Sequence, residues 1–540
     1  MNALKNKPGI RKDLLFVGLL MLISLIYDYQ HILFYRPQGI HVWRQTDCLS
    51  ITDNYYQESA PFLAPQLHIQ FSDNGHSGTS LGEFPILYYG IAQLWKITGK
   101  EEFVYRLFGL LLSYLGLFCL YRIAYKLTNN WMLACSAPVL LLSSPIFAFY
   151  SINFLTNAPA FCLMLIGWYA IARYYETTKM AFFYWACFLF LLIGLLKVST
   201  LMSVFLIPLF MLLEQFGWIQ LHPKRKIVQR PWLQFGLLFL VILLVFSWYF
   251  YADSYVQQHG GRYSYTRPVT AWNTPKEQLD LYFLHFKESL IHQIHRIGTL
   301  VLLLLAAVFL AFQHKKLERF WLIGMPLLVF GYVFFVMLFV YSLDGHDYYH
   351  IDFLAPLLFI YLAFIRYLSK SESTLLSSPV FISIFCVFWT FNVMGCANNI
   401  QVRYHNCPDT ELPYRQIFCS RKEIDLLGYP QWQSEIMKPY GTVEPELRKR
   451  GITRNDKFLS MDDGSFNVTL YLMDQKGWPN IEGDISDSTK VIDKIHKGGS
   501  FLVYHREETG QMAWLQHFMK YPFLTYENLR IYDLRPYRKL

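Results

Sequence analysis

Long apolar stretches recur along the first three quarters of the chain, from Leu14 to Met394, with short polar segments between them. Each has roughly 17 to 25 residues, enough for a helix to cross a hydrocarbon core of about 30 Å. The pattern therefore predicts about eleven membrane-spanning helices, over residues 14–35, 103–125, 131–150, 158–174, 181–196, 199–216, 233–251, 296–313, 320–341, 351–367 and 377–395.

After Gly395 the pattern changes to short apolar runs at irregular spacing within a polar sequence. Some runs are typical of strands and others of helices. Strands are expected over 457–461, 500–505 and 529–534, and helices over 467–475, 488–496 and 511–521. The predicted fold is mainly α, a polytopic transmembrane helix bundle over residues 1–395 followed by a small α/β domain over 396–540.

The composition agrees with a membrane protein, since 54% of the residues are hydrophobic and only 16% are charged. The net charge of +9 does not indicate nucleic acid, because the basic residues lie scattered at the ends of apolar segments. Basic segments mark the cytoplasmic side of a membrane. This rule places the N-terminus inside, and eleven crossings then place the loops 36–102 and 252–295 and the C-terminal domain outside.

Five of the nine cysteines lie within predicted spans, where a thiol packs as a small apolar group. Cys407 and Cys419 lie beyond the last span, on the oxidising side, so a structural disulfide between them is plausible. The triplet Asn467-Val-Thr matches a glycosylation acceptor, but such triplets often arise by chance. We assign it no role.

The first outer loop, residues 36–102, is long for a helix bundle, and long loops in compact proteins are often functional. It holds His41-Val-Trp-Arg44-Gln-Thr-Asp47, then Asp73, then Glu83 before an apolar stretch that is typical of an interfacial helix. Asp47 is either a helix N-cap or a general base oriented by Arg44 or His41. Asp73 and Glu83 are the competing carboxylates.

Lys197 separates two apolar runs, where a lysine near the bilayer centre would be costly. One interpretation is a side chain that extends to the interface, and the other is a contact to a lipid phosphate. In the loop 252–295, Arg262 and Arg267 belong either to a solvated segment or to a lid over a substrate.

The segment Asp344-Gly-His346-Asp-Tyr348-Tyr349-His350 follows the ninth predicted span. Its spacing matches no standard set of metal ligands. Polar substrate contacts by His346, Tyr348 and Tyr349 are therefore favoured over a zinc site.

In order and membrane placement, these motifs resemble those of the GT-C superfamily of integral-membrane glycosyltransferases, which includes protein O-mannosyltransferases and the aminoarabinose transferase of lipid A. The resemblance rests on Asp47 early in the first outer loop, on Phe84-Pro-Ile-Leu-Tyr-Tyr, and on His346-Asp-Tyr-Tyr. It implies a polyprenyl-phosphate sugar donor, Asp47 as catalytic base, and Lys197 with Arg262 and Arg267 near the donor phosphate. His41, Arg44, Asp73, Glu83, His346, Tyr348 and Tyr349 would bind substrate.

The implied reaction is an inverting transfer to a hydroxyl group on the outer face of a bacterial inner membrane. It requires no cofactor, although a divalent metal is left open, and no nucleic acid. The acceptor is a lipid, a glycan or a protein. A transporter or flippase of a lipid-linked saccharide is the main alternative, but the sequence shows no convincing repeat of the kind common in transporters. A noncatalytic scaffold is the third possibility.

Overall fold

A computed structural model describes residues 9–221, 226–260, 269–343, 345–371, 373–404 and 430–539. Arg262, Arg267, Cys407 and Cys419 lie outside these ranges, so the predicted lid contacts and the predicted disulfide remain predictions. Nineteen α-helices are described up to Tyr404: α1 Ile10–Ile26, α2 Tyr29–Ile32, α3 Val42–Gln57, α4 Ile86–Thr98, α5 Glu102–Thr128, α6 Trp131–Leu142, α7 Pro145–Tyr150, α8 Asn157–Thr177, α9 Met180–Leu196, α10 Leu201–Val204, α11 Leu206–Gln215, α12 Pro231–His259, α13 Lys276–His285, α14 Ile291–Ile294, α15 Ile297–Phe312, α16 Arg319–Leu343, α17 Leu354–Ser371, α18 Ser373–Leu376 and α19 Pro379–Tyr404.

The predicted class, a polytopic helix bundle, is confirmed, whereas the predicted count of eleven spans is not. Within the described ranges, six segments are long and apolar enough to cross a membrane: Glu102–Thr128, Val198–Gln215, Pro231–His259, Arg319–Val340, Asp347–Ser371 and Pro379–Tyr404. Three other predicted spans fall on shorter apolar helices, Trp131–Leu142, Met180–Leu196 and Ile297–Phe312. The segment 131–150 is divided into α6 and α7, and α7 begins at Pro145, a residue suited to the first turn of a helix.

The helices pack around one large apolar core, in which α8 contacts α5 and α9 while α17 contacts α5, α6, α15 and α16. Small residues allow the closest approaches. A side chain at Gly116 would begin 3.0 Å from Cys162 on the facing helix, so α5 and α8 can meet backbone to backbone only with glycine there.

The first outer loop is ordered and contains α3 and α4. The apolar stretch that begins at Phe84 forms the helix α4, as predicted, and its location at the membrane interface stays a prediction. The backbone N–H of Phe84 donates to the carbonyl of Leu195 at 2.9 Å, and the indole of Trp248 donates to the carbonyl of Gly82 at 3.1 Å. The loop is thereby attached to the end of α9 and to the central part of α12.

The C-terminal domain contains a five-stranded sheet in the order β2-β1-β3-β5-β4. β1 is parallel to β2 and β3, while β5 is antiparallel to β3 and β4. The predicted α/β domain is confirmed, but the predicted helix over 511–521 is shorter. The elements are α20 Pro430–Thr442, α21 Glu444–Lys449, β1 Lys457–Ser460, α22 Val468–Met473, β2 Gly477–Pro479, α23 Ser488–His496, β3 Gly499–Tyr504, α24 Glu507–Gly510, α25 Ala513–Gln516, β4 Pro522–Tyr526 and β5 Leu529–Asp533.

The first outer loop extends this sheet. Ile69 forms a parallel bridge with Gly477 of the edge strand β2. The N–H of Gln70 donates to the carbonyl of Gly477 at 2.9 Å, and the N–H of Gly477 donates to the carbonyl of His68 at 3.1 Å. Apolar side chains of α3, α4 and the C-terminal domain also share a second core. The domain therefore rests on the loop that carries the predicted site.

Candidate active site

Helix α3 positions three of the predicted residues. His41 is its N-cap, with the left-handed backbone angles φ 57° and ψ 32°, and Arg44 and Asp47 follow within the helix. The interpretation of Asp47 as an N-cap is therefore wrong. The Asp47 side chain is fully buried, and one carboxylate oxygen lies 3.9 Å from Nη1 of Arg44.

Glu83 lies between two cations. Its Oε2 is 2.5 Å from Nη2 of Arg44, and its Oε1 is 3.7 Å from Nζ of Lys197. Burial by itself raises the pKa of this carboxyl, but the charges of Arg44 and Lys197 outweigh burial and lower the pKa to about 2. Glu83 is therefore ionised at neutral pH. It holds the two cations, which come from different parts of the chain, in one place.

Lys197 follows the last residue of α9 in an extended conformation and is largely buried. Its Nζ lies 4.1 Å from the ring centroid of Tyr349 and 6.0 Å from that of Tyr348, so both rings form cation–π contacts with the ammonium. The structure thus brings the predicted lysine to the predicted tyrosines and to Glu83.

His41 and His346 lie on the other side of Tyr348. The centroid of the His41 ring is 5.0 Å from that of Tyr348 and 5.8 Å from that of His346. Tyr348 is buried, Tyr349 is half-buried and His346 is exposed. The predicted residues of the first outer loop and of the segment before α17 therefore meet in one place.

Sequence reasoning missed the residue at the centre of this arrangement. Asp347 is buried, and one of its oxygens lies 3.1 Å from Nε2 of His41 and accepts a hydrogen bond from the Tyr150 hydroxyl at 2.5 Å. Its other oxygen is 3.5 Å from Nη1 of the fully buried Arg403. The available signal was its position between His346 and Tyr348, two residues that the sequence did single out.

An apolar groove of about 370 Å³ adjoins the charged group. It is lined by residues of the first outer loop, α9 and α12: Leu63, Phe84, Leu191, Leu195, Leu244, Ser247, Trp248 and Tyr251. Phe84 directly follows Glu83, and Leu195 lies two residues before Lys197. The groove is therefore bordered by the same two segments that carry the anion and the lysine.

Asp73 lies in a different environment from the other predicted residues. It is 40% exposed, accepts a hydrogen bond from Ser77 at 2.5 Å and pairs with Nδ1 of His259 at 2.6 Å. The hydrogen bond from Ser77, followed by the contact with His259, lowers the pKa of this carboxyl. Among the described residues, no ion pair joins Asp73 to Arg44 or Lys197.

A second ionic group lies where α3 meets the C-terminal domain. Ligand atoms of Asp53, His68 and Asp474 lie within 4.8 Å of one another, close enough to share a metal ion. Two cations already occupy this space: Nζ of Lys100 is 3.0 Å and Nη2 of Arg454 is 2.9 Å from Asp53. These positive charges disfavour a divalent ion, so we interpret the group as an ionic contact between the loop and the domain, and call it the junction cluster.

Comparison with known proteins agrees with this architecture. Residues 83–250 match the family model described as dolichyl-phosphate-mannose-protein mannosyltransferase. No curated protein sequence matches the chain. The fold is similar to the crystal structure of ArnT from Cupriavidus metallidurans in the apo state, with a TM-score of 0.56 and 11% identity, and to ArnT from the same organism bound to undecaprenyl phosphate, with a TM-score of 0.55 and 12% identity. Both matches cover 96% of this chain and 97% of ArnT. Over nearly its whole length, the chain therefore has the same fold as ArnT.

Proposed function

We propose that this protein is a membrane glycosyltransferase that moves a sugar from a polyprenyl-phosphate donor to a hydroxyl acceptor. The observation that carries the proposal is that Glu83, which pairs with both Arg44 and Lys197, directly precedes Phe84 of the apolar groove. A donor of this class has an apolar chain and an anionic phosphate joined to each other. A protein that binds such a donor needs an apolar channel with a cationic site directly beside it.

The cations also suit the chemistry. As the bond between the sugar and the phosphate breaks, negative charge increases on the leaving phosphate, and cations fixed in a site with little water stabilise it. Lys197 is 8% exposed, so water screens its charge weakly. The rings of His41, His346 and Tyr349 provide flat surfaces on which a sugar can stack beside the phosphate.

The relatives support the same class of donor. The matching family is named for a dolichyl-phosphate mannose donor, and ArnT has been crystallised with undecaprenyl phosphate. For this chain both facts are arguments by similarity. The distribution of basic residues supports a multi-pass protein of a bacterial inner membrane with its N-terminus in the cytoplasm and its C-terminal domain outside.

The proposal also includes a general base that takes the proton of the acceptor hydroxyl. The sequence favours Asp47 for this role. Glu83 is a poor base, because a carboxyl with a pKa of about 2 holds a proton weakly. Asp47 has a longer contact with Arg44, at 3.9 Å, but its side chain is fully buried. An acceptor hydroxyl can reach it only if the residues around α3 move. Direct displacement with one base would invert the anomeric centre, and the leaving phosphate needs no general acid.

The proposal is tested with purified protein in detergent, by measuring sugar transfer from a panel of labelled polyprenyl-phosphate sugars to a cell-envelope extract. Lys197→Met should reduce transfer at least tenfold and weaken binding of undecaprenyl phosphate. Lys96→Met, at an exposed lysine of α4, is the matched control and should change neither. Asp47→Asn in the same assay tests the predicted base.

Transfer from none of the donors by the wild type would contradict the enzymatic function. Binding of the lipid-linked saccharide without transfer would instead favour the transporter. A scaffold is indicated if the wild type neither binds the lipid-linked saccharide nor transfers sugar. Transfer and binding that Lys197→Met leaves unchanged would contradict the role assigned to Lys197.

A further inference from the structure

His41 and Asp347 form a pair of the kind that accepts protons in enzymes. Nε2 of His41 lies 3.1 Å from a carboxylate oxygen of Asp347. Asp347 is held in turn by the Tyr150 hydroxyl and by the buried Arg403, whose Nη2 donates to Gln293 at 2.5 Å. A carboxylate fixed in this way keeps an imidazole in one orientation and one tautomer, and stabilises the imidazolium that forms when the ring takes a proton.

The pair leaves the second ring nitrogen available. Nε2 of His41 is buried and lies beside Asp347, so in the tautomer whose proton is on Nε2 the lone pair is on Nδ1. Among the described residues, no hydrogen bond or ion pair to Nδ1 of His41 is found. The His41 side chain is 14% exposed, so it is reachable from outside, in contrast to Asp47.

His41 also lies near the residues that we assign to the donor phosphate, as a base in this reaction must. His41 and Lys197 both lie within 6.0 Å of the Tyr348 ring centroid, the histidine at 5.0 Å and the ammonium at 6.0 Å. Tyr348 therefore contacts both residues, and a sugar whose phosphate binds Lys197 can extend along this ring toward His41. The left-handed backbone at His41, with a φ of 57°, is a further indication, since such strain in a residue other than glycine concentrates at functional sites.

We propose that Nδ1 of His41, rather than the buried carboxylate of Asp47, takes the proton of the acceptor hydroxyl, and that Asp347 is the residue that positions it. In this step the O–H bond of the acceptor breaks and its proton moves to Nδ1. The acceptor oxygen forms the new bond to the anomeric carbon, and the bond from that carbon to the phosphate oxygen breaks, with its electron pair left on the phosphate. The imidazolium then releases its proton to water. This role rests on the proposed function.

The backbone conformation of His41 allows a variant that removes the ring without straining the chain. Because His41 has a φ of 57°, glycine fits its backbone without strain, so His41→Gly removes the ring and leaves a space that imidazole can enter. A positioned base contributes about 10²–10⁴-fold, so we expect kcat to fall about 100-fold or more. Binding of undecaprenyl phosphate should stay within threefold of wild type. Imidazole added to the assay should restore transfer at least tenfold in His41→Gly, and should not restore it in Lys197→Met.

Three results would overturn the proposal. They are transfer by His41→Gly within threefold of wild type, a transfer defect that imidazole does not relieve, and a defect explained entirely by lost binding of undecaprenyl phosphate. Asp347→Asn gives a second readout, since a positioning residue should lower kcat while the donor KM stays within threefold. If the wild type transfers no sugar from any donor, the proposed function fails and this role fails with it. If the wild type transfers sugar and His41→Gly does so equally, only the role of His41 fails.

Discussion

The guanidinium of Arg44 lies 2.5 Å from the carboxylate of Glu83, although 39 positions separate the two residues in the chain. The contact joins α3 to the segment that leads into α4. Through the second oxygen of Glu83 it also reaches Lys197, at the end of α9. One carboxylate thus joins two cations, and the three charged residues come from three separate segments of the protein. The cations that we assign to the donor phosphate are arranged before any donor binds, so less of the binding free energy is lost in ordering them.

Replacing Glu83 should destabilise the protein in a manner that depends on pH. Its pKa of about 2 is below the value of about 4.3 that glutamate has in an unfolded chain. Its stabilising contribution is therefore complete above about pH 4.3 and is lost as the pH falls toward 2. We expect Glu83→Gln to reduce the free energy of unfolding by about 1–3 kcal/mol at pH 7.

The measurement is the melting temperature in detergent at a series of pH values. The difference between wild type and Glu83→Gln should shrink below about pH 4.3. Glu101→Gln, at an exposed glutamate, serves as the control and should melt as the wild type does. A difference that stays constant down to pH 3 would contradict the assigned ion pairs.

Arg454 should be essential for the attachment of the C-terminal domain. Its guanidinium lies 2.9 Å from Asp53, 2.7 Å from Glu58 and 2.8 Å from Asp474, so it links α3 to the domain. Arg454→Met leaves the negative charges of these carboxylates less neutralised. Breaking a buried ion pair typically costs about 3–5 kcal/mol, on the order of a large core mutation. We expect faster hydrogen exchange at the backbone N–H groups of Gln70 and Gly477, which join the loop to the sheet.

The control is Arg535→Met in the same domain. Arg535 is 45% exposed and pairs with Asp533 at 2.7 Å, and such surface pairs contribute about 0–1 kcal/mol. Equal exchange rates in the Arg454 and Arg535 variants would show that the junction cluster does not hold the two parts together.

Gly477 should not tolerate a side chain. A Cβ at this position would lie 1.8 Å from the carbonyl oxygen of Phe458 on β1, and its φ of 152° is one that other residues rarely adopt. Gly477→Ala should therefore separate β2 from β1 and from the loop, with the loss of folded C-terminal domain measured by near-ultraviolet circular dichroism. Gly464→Ala places its Cβ in open space and should be neutral. An unchanged spectrum for Gly477→Ala would refute the strand pairing.

Filling the apolar groove should affect only donors with long chains. Ser247 lines the groove from α12, so Ser247→Trp narrows it without removing a charge. We expect the KM for a long-chain polyprenyl-phosphate sugar to rise about tenfold, by roughly 1.4 kcal/mol of lost binding. A donor with two isoprene units should react as with wild type. Leu243→Trp, exposed on the same helix but outside the groove lining, is the matched control. An equal effect on both donors would place the lipid chain elsewhere.

The sequence by itself determined the class of fold and the candidate residues. Apolar runs of membrane-crossing length identify a helix bundle, because backbone polar groups in lipid must be satisfied within each segment. The strands β1, β3 and β5 were predicted nearly to their observed ends, because each contains adjacent apolar and aromatic residues typical of strands. β2 and β4 were missed. β2 has only three residues and pairs with the first outer loop, and β4 begins with a proline, which is unusual within a strand.

The tertiary structure decided which candidates meet. Arg44, Glu83 and Lys197 are each ambiguous in the sequence, because a charged residue beside an apolar run is usually solvated. Their contacts arise only when α9 packs against the loop. The sequence pattern did not identify Asp347 as a site residue, because its partners His41, Tyr150 and Arg403 are distant in the chain. Periodicity reports local structure, whereas the pairing of charges over such separations depends on how the helices pack.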